Sequence, residues 1–444
     1  MIELGKETNL ASQVLHNKKF RQKSRVVETV AVTRGPVWGQ TVLLVLSSLC
    51  LIAFAMIVSK PVAAQDKSDI QTIKITYLRE NQDKLSPISL LDQPTKDRGF
   101  AGAELGIKDN NTTGSFLGQK FELTKIENND PAAIIAEAVQ RADAGEGLIV
   151  ADVAPDTLLK IADAVKDKDA VVFNAGAHDG RLRGSDCRAN VKHTTPSYAM
   201  LADGLTQYMG WKKWTRWFLV SGPSPEDKLF ADAIRASAKK FRMKIVEERT
   251  FTYDAGARRT DGGYDQIQQQ IPKFTQKTPD YDVLVVADEA GLFGAYFPYR
   301  TWAARPVVGS VGLYPASWHP AIELWGGTQF QNRFRRDHNR PMTALDYDAW
   351  VAVRSIGEAA TRTRKPDAKS LIEYMRSAEF EIAAFKGQKL TYRTWNGQLR
   401  QPIFIVTDKL HVTVSPQKEY LHRFSELDTL GIDKPQSKCA AFKK

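Results

Sequence analysis

The residues of this chain that could bind a small solute follow its apolar runs at regular intervals. Directly after such runs come Arg79-Glu80-Asn81, Ala151-Asp152, Asn174-Ala175-Gly176-Ala177, Ser221-Gly222 and Asp288-Glu289. In parallel α/β sheets, ligands bind outside the carboxyl ends of the strands, where loops and helix N termini offer free N–H groups. We therefore predict six ligand-binding side chains: Arg79, Asp152, Asn174, Ser221, Asp288 and Glu289. The alternative is that each of them only caps the helix that follows.

Signatures of catalysis are scarce by comparison. The sequence contains no GxGxxG, P-loop, HExxH or GxSxG motif, so the sites that these motifs build are not indicated. Residues 237–240 match the Ser-x-x-Lys of penicillin-recognising enzymes, but they lie in an amphipathic helical pattern and lack the companion motifs. Asp288 and Glu289 could form an acid/base pair, although adjacent side chains project in different directions. We predict a protein that is not an enzyme and uses no cofactor.

Two other groups of residues have a structural alternative. The histidines after residue 64 never recur at a spacing of three or four, so no helical metal site is predicted. They are His178, His193, His319, His338, His411 and His422. The aromatic stretch at residues 293–302 (FGAYFPYRTW) could wall a ligand pocket, but such stretches more commonly pack a helix against a strand.

The elements that would position these residues are short apolar strands that alternate with amphipathic helices, which is typical of β-α units on a parallel sheet. A first series begins with a strand at residues 73–78. A second series of similar plan begins with a helix at residues 197–209 and includes a predicted helix near 289–296. Strands such as residues 148–150 are continuously apolar, as expected when helices cover both faces of a sheet.

The predicted fold class is therefore α/β, with two doubly wound lobes. Further helices and strands follow the two complete series, so the chain must cross between the lobes more than once. Two lobes joined by several crossings form a multi-crossover hinge with a ligand cleft between them. The predicted boundaries are residues 65–195 plus about 318–385 for the N-terminal lobe, 196–317 plus about 386–415 for the C-terminal lobe, and 416–444 for a C-terminal tail.

The N-terminus has the pattern of an export signal. A polar, basic segment precedes an uncharged run at residues 37–59, and Val62-Ala63-Ala64 supplies small residues at the expected cleavage positions. We predict a secretory signal over residues 1–64, with cleavage after Ala64. An uncleaved membrane anchor is the alternative, since the run is long enough to span a bilayer. Leu49 before Cys50 disfavours a lipidation site, which needs a small residue there.

Charge and cysteine content fit an exported protein. The whole chain carries +11, of which residues 1–64 contribute +5, leaving about +6 for the mature part. No basic stripe interleaved with aromatic residues appears, so nucleic-acid binding is not predicted. Removal of the signal leaves two cysteines, Cys187 and Cys439, which can form one disulfide in an oxidising compartment. Two separate free thiols are the alternative.

Six segments of the mature chain carry a resemblance to a known family. They are residues 186–197 (DCRANVKHTTPS), 281–289 (YDVLVVADE), 299–302 (YRTW), 383–387 (AAFKG), 398–402 (QLRQP) and 426–431 (ELDTLG). With these segments the chain resembles the branched-chain amino-acid-type substrate-binding proteins of ABC transporters. Within that family it looks like the subgroup encoded beside PQQ-dependent alcohol dehydrogenases.

The resemblance implies a periplasmic protein of the type I periplasmic binding protein fold that binds a small-molecule ligand. It implies an inner-membrane ABC permease as partner and a PQQ-dependent alcohol dehydrogenase as a further partner. A ligand sensor or accessory protein of the dehydrogenase is the alternative function, and an unrecognised hydrolase has little support.

One departure from the family pattern concerns the ligand. Amino-acid binders of this family hold their substrate through a Ser/Thr-rich loop in the first lobe, where this chain has Ala151-Asp152-Val153-Ala154. An amino-acid ligand is therefore doubtful, because Asp152 would repel a carboxylate unless Arg79 or another cation offset its charge.

Overall fold

The computed structural model of the protein describes residues 70–81, 95–252 and 267–442. The predicted export signal, residues 1–64, lies outside the described residues. None of the helices in the described ranges is long and apolar enough to cross a membrane.

The first lobe is built on a five-stranded parallel sheet. Its spatial order is β2-β1-β3-β4-β5. The strands are β1 (Gln71–Glu80), β2 (Gln119–Asn128), β3 (Leu148–Asp152), β4 (Val171–Asn174) and β5 (Val191–His193). Because β3 and β4 are buried on both faces, their residues are almost all apolar, as the sequence predicts.

Helices cover both faces of this sheet. Three of them connect its strands: α1 (Phe100–Gly114), α2 (Pro131–Asp143) and α3 (Pro155–Ala164). The start of α2 confirms the predicted cap, because the Asp130 side chain accepts the backbone N–H of Ala132 at 2.9 Å and proline fills the first helical position.

The second lobe repeats this plan around a four-stranded parallel sheet of order β7-β6-β8-β9. Its strands are β6 (Arg216–Ser221), β7 (Lys244–Thr250), β8 (Val283–Ala287) and β9 (Val307–Gly309). Its helices are α4 (Tyr198–Trp211), α5 (Pro225–Lys240) and α6 (Ile267–Phe274). Ser224 and Asp227 form the predicted capping pair at the start of α5.

The remaining elements follow the second sheet. They are β10 (Tyr314–Ala316), α7 (Gly327–His338), α8 (Ala344–Thr363), α9 (Ala368–Arg376), β11 (Ile382–Ala383), β12 (Lys389–Tyr392), β13 (Leu399–Arg400), β14 (Ile403–Val406) and β15 (His411–Ser415). The helices α7 to α9 and the strands β11 to β13 add their apolar side chains to the first-lobe core. The chain therefore returns to the first lobe after it has built the second.

A small antiparallel sheet, β10-β14-β15, lies between the lobes. Successive residues of β14 point to opposite faces: Ile403 and Ile405 are buried in the second-lobe core, whereas Phe404 and Val406 are buried in the first-lobe core. The predicted fold, two doubly wound lobes joined by a multi-crossover hinge, is confirmed. The predicted residue boundaries of the lobes and tail stay predictions.

The helix predicted near residues 289–296 is wrong. Only a 3-10 helix forms there, at Gly294–Tyr299. Gly291 has a φ of +68°, and the Asp288 carboxylate accepts the N–H groups of Leu292, Phe293 and Gly294. A tight turn therefore takes the place of the first helical turn, because these bonds satisfy the backbone locally.

Candidate functional site

Two of the predicted residues meet at the carboxyl edge of the first sheet. Arg79 and Asp152 are direct neighbours in the parallel pairing of β1 with β3. The Arg79 Nε lies 4.0 Å from Asp152 Oδ2, and each side chain is 19% exposed. The Tyr77 hydroxyl also donates to Asp152 Oδ2, at 3.4 Å. Arg79 is thus the cation that offsets the charge of Asp152, where the sequence suggests Arg79 or another cation.

Asn174 organises the loop beside this pair. Its side chain is buried and bonded within the protein: Nδ2 donates to the Ala177 carbonyl at 2.8 Å, Oδ1 accepts the Ala177 N–H at 2.8 Å, and Nδ2 lies 3.0 Å from His193 Nδ1. A Cβ on Gly176 would lie 2.6 Å from Asp152 Oδ1, so this glycine lets the loop approach the carboxylate. Asn174 therefore shapes the loop.

At the matching edge of the second sheet, Ser221 and Asp288 have structural partners. Ser221 is 5% exposed, and its carbonyl accepts the Phe251 N–H at 2.8 Å. Asp288 accepts three backbone N–H groups of the following turn, at 2.6–2.9 Å. The capping alternative therefore describes Asp288 well.

Glu289 differs from its neighbour because solvent reaches it. Its Oε1 accepts a 2.7 Å hydrogen bond from the Ser310 hydroxyl, and the Tyr198 side chain lies near the carboxyl. Partial desolvation, together with the nearby carboxylates Asp227 and Asp288, raises the pKa of Glu289. This carboxyl can accept a hydrogen bond from a donor on a solute.

His178 contacts Tyr198 and so links the carboxyl edge of the first sheet to that of the second. It follows the loop that Asn174 organises, and its ring lies 5.3 Å from the Tyr198 ring. Its carbonyl accepts the Tyr198 N–H at 3.0 Å, and its Nδ1 lies 2.7 Å from the Pro196 carbonyl oxygen. Tyr198 therefore binds a first-lobe loop through its backbone, and its side chain lies near the second-lobe Glu289.

Sequence reasoning missed Tyr198, His178 and Ser310. Ser310 follows β9 directly, so the rule applied to the other strand ends identifies it. Tyr198 is the first residue of α4, after the Ser197 cap, and marks the crossing between the lobes.

The aromatic stretch divides into a buried and an exposed part. Phe293 and Phe297 pack against Phe251 in the second-lobe core, with ring centroids 5.1 and 5.6 Å apart. Tyr299 and Trp302 are 90% and 67% exposed. The buried part therefore packs the second-lobe core.

Charged groups are also buried where the chain crosses between the lobes. The Lys386 ammonium donates to the carbonyls of Ser317 and Pro402 and lies 4.1 Å from the Phe404 ring centroid. Asp348 Oδ2 accepts a 3.1 Å hydrogen bond from the Ser317 hydroxyl. Burial lowers the pKa of Lys386 to about 7 and raises the pKa of Asp348 to about 8.

Within the part of the chain that the structure describes, no three or more His, Cys, Asp or Glu side chains form a group that could hold a metal ion. The strand ends carry polar groups: an arginine–aspartate pair on the first lobe, and a carboxyl with a serine and a nearby tyrosine on the second.

Comparison with solved structures identifies the fold. A branched-chain amino acid ABC transporter periplasmic ligand-binding protein from Burkholderia xenovorans LB400 is 17% identical, with a TM-score of 0.64, covering 84% of this chain and 100% of its own. The leucine-, isoleucine-, valine-, threonine- and alanine-binding protein of Brucella ovis is 15% identical, with a TM-score of 0.61, covering 78% and 95%. A solute-binding protein from R. palustris, in complex with benzoate, is 10% identical, with a TM-score of 0.59, covering 83% and 99%.

The chain therefore has the fold of a type I periplasmic binding protein. Its residues 91–296 match the family model described as Periplasmic binding protein. No curated protein matches the chain.

Proposed function

We propose that this protein is the periplasmic solute-binding component of an ABC transporter and holds a small molecule non-covalently between its lobes. The observation that supports this most is the contact of His178 with Tyr198, which brings the first-lobe loop to the second-lobe Glu289. The similar structures include a branched-chain amino acid ligand-binding protein and a solute-binding protein in complex with benzoate, which supports a small-molecule ligand for this protein. No step in this function forms or breaks a covalent bond, and the protein is not proposed to be an enzyme.

The proposed mechanism is capture by closure of the hinge. The solute first contacts one lobe, the lobes close around it, and water leaves the cleft. The first lobe offers the Arg79–Asp152 pair, and the second offers Glu289 with the Tyr198 hydroxyl. The closed form is then recognised by an inner-membrane permease.

We also propose that the protein acts together with PQQ-dependent alcohol oxidation. This part of the proposal rests on the sequence resemblance alone. It makes a solute linked to PQQ-dependent alcohol oxidation the first ligand to test. The cleft-edge carboxylates Asp152 and Glu289, with Arg79 beside only the first, favour ligands that donate hydrogen bonds over ligands that carry several carboxylates.

Isolation of the protein from the native periplasm tests the proposal. Mass spectrometry should identify a small molecule bound in stoichiometric amount, and titration calorimetry should show that Glu289→Gln weakens its binding. Glu373→Gln, on the exposed part of α9, is the matched control and should bind as the unaltered protein does. Turnover of a substrate panel would overturn the proposal. A stable complex with the dehydrogenase, but none with a permease, would favour the sensor or accessory function.

A further inference from the structure

The C-terminal segment at residues 416–442, which we call the strap, contacts both lobes. It leaves β15 along α4, where the Gln417 N–H donates to Gln207 Oε1 at 2.9 Å. Further on, Leu430 is fully buried in the second-lobe core. The Gly431 N–H donates to Asp203 Oδ2 at 2.7 Å, and the Lys240 ammonium donates to the Gly431 carbonyl at 3.0 Å. The strap is thus anchored to α4 and α5 of the second lobe.

The same segment is bound from the other side by two arginines. Arg393 is 1% exposed, and its Nε donates to Asp428 Oδ1 at 2.9 Å. Its Nη2 donates to the carbonyls of Leu427 and Leu430, at 2.9 and 2.7 Å. Arg400 donates to both Asp428 oxygens, at 2.9 and 3.1 Å.

Both arginines are held by the first lobe. Arg393 follows β12, and Arg400 ends β13. The apolar side chains of these strands, Leu390, Tyr392 and Leu399, are buried in the first-lobe core. The hairpin is also tied to the first sheet, because the His193 N–H donates to the Gly397 carbonyl at 2.9 Å.

At one point of the strap, a single peptide unit is hydrogen-bonded to both lobes. The Leu430 carbonyl accepts from Arg393, and the Gly431 N–H donates to Asp203. The two groups belong to a single planar peptide unit, which cannot lengthen. A motion that separates Arg393 from Asp203 by more than their side chains can follow must therefore break one of these two buried hydrogen bonds.

A disulfide fixes the end of the strap. Cys439 is bonded to Cys187, which lies in the first lobe between the 3-10 helix Gly180–Arg183 and β5. Seven residues lie between Gly431 and Cys439, so these eight steps of the strap can span about 29 Å at most when extended. The strap thus starts on the second lobe and ends covalently on the first, in addition to the crossings made through β10 and β14.

We propose that the strap limits how far the two lobes can open, and so holds the ligand-free protein in a narrow range of interlobe angles. This inference rests on the proposed hinge-bending function. The Asp428–Arg393–Arg400 cluster and the Leu430–Gly431 peptide resist opening non-covalently, and the Cys187–Cys439 bond prevents the strap from leaving the first lobe.

Distance measurements in the ligand-free protein test whether the strap limits the opening of the lobes. Maleimide spin labels at Lys160→Cys on α3 and Lys228→Cys on α5 report the separation of the lobes, since both lysines are exposed on rigid helices. The strap is released in three ways: by Cys187→Ser with Cys439→Ser, by Asp428→Asn, and by treatment of the folded, labelled protein with a phosphine reductant. Phe424→Ala, at an 82% exposed position of the strap, is the control.

We expect each release to give a broader distance distribution with a longer mean, whereas Phe424→Ala leaves the distribution unchanged. Far-UV circular dichroism identifies any variant that has failed to fold, and reduction of the folded protein does not depend on folding without the disulfide. An unchanged distance distribution after all three treatments would overturn the proposal that the strap limits the opening of the lobes. Because no solute is needed, a failure to find a ligand would count against the proposed function and leave this result intact.

Discussion

The Ser310 hydroxyl lies 2.7 Å from Glu289 Oε1 and donates a hydrogen bond to it across the carboxyl edges of β9 and β8. This bond fixes one oxygen of a carboxyl that solvent still reaches, and Tyr198 of α4 lies near the same group. A carboxyl held in one orientation at the cleft edge can select a solute by the position of its hydrogen-bond donor, since little conformational freedom is then lost on binding.

Gly176 provides a test of the first-lobe side of the cleft. A Cβ at this position would lie 2.6 Å from Asp152 Oδ1, so Gly176→Ala must displace either the carboxylate or the loop. We expect the dissociation constant of the co-purified solute to rise about tenfold, the loss expected for one charge-assisted hydrogen bond.

Gly180→Ala is the matched control for this substitution. Its Cβ would meet nothing within 4 Å, so binding should be unchanged. Equal dissociation constants for the two variants, measured by calorimetry, would show that the solute does not depend on the Asp152 loop.

Asp348 predicts a pH dependence of stability. Burial raises the pKa of this carboxyl to about 8 in the folded protein, above its value in the unfolded chain. Its contribution to stability is present below the unfolded pKa and is lost as pH rises through about 8. Urea unfolding at pH 5 and pH 8 should therefore show a larger fall in the free energy of unfolding for the unaltered protein than for Asp348→Asn. The same fall in both proteins would contradict the assignment.

Lys386 predicts a large loss of stability on substitution. Its ammonium donates to two buried carbonyls and lies over the Phe404 ring. Lys386→Met leaves these acceptors without a donor, so we expect the free energy of unfolding to fall by about 3 kcal/mol. Lys369→Met, on the exposed part of α9, should change it by less than about 0.5 kcal/mol. Denaturant titration of both variants checks this difference.

The disulfide predicts a further loss. The bonded cysteines are 252 residues apart, so the bond restricts the unfolded chain strongly. Replacement of Cys187 and Cys439 by serine should lower the free energy of unfolding by about 2–5 kcal/mol in denaturant titrations. A variant as stable as the unaltered protein would mean that the bond adds nothing beyond the contacts of the strap.

The sequence predicts which residues lie at the strand ends better than it predicts the contacts that these residues make. The parallel sheets place Arg79 beside Asp152 because β1 and β3 pair in register, and this follows from the fold class. The contact of His178 with Tyr198 depends on how the lobes are joined, which residue spacing does not specify. The same holds for Arg393 and Asp428, whose partners come together only after the chain has crossed the hinge.

Capping and binding could not be separated from the sequence at Asp288 and Glu289. Both follow β8, yet one carboxylate accepts three backbone N–H groups, whereas the other accepts the hydroxyl of Ser310. The difference arises from the turn at Gly291. The sequence pattern predicts a helix at this position, so it does not indicate the turn.

The central claim is that a solute binds between the lobes, and a crystal structure of the native protein with its co-purified solute tests it most directly. We predict that the solute contacts both the Arg79–Asp152 edge of the first lobe and Glu289 or Tyr198 of the second. A solute bound to one lobe alone, or outside the cleft, would contradict the account.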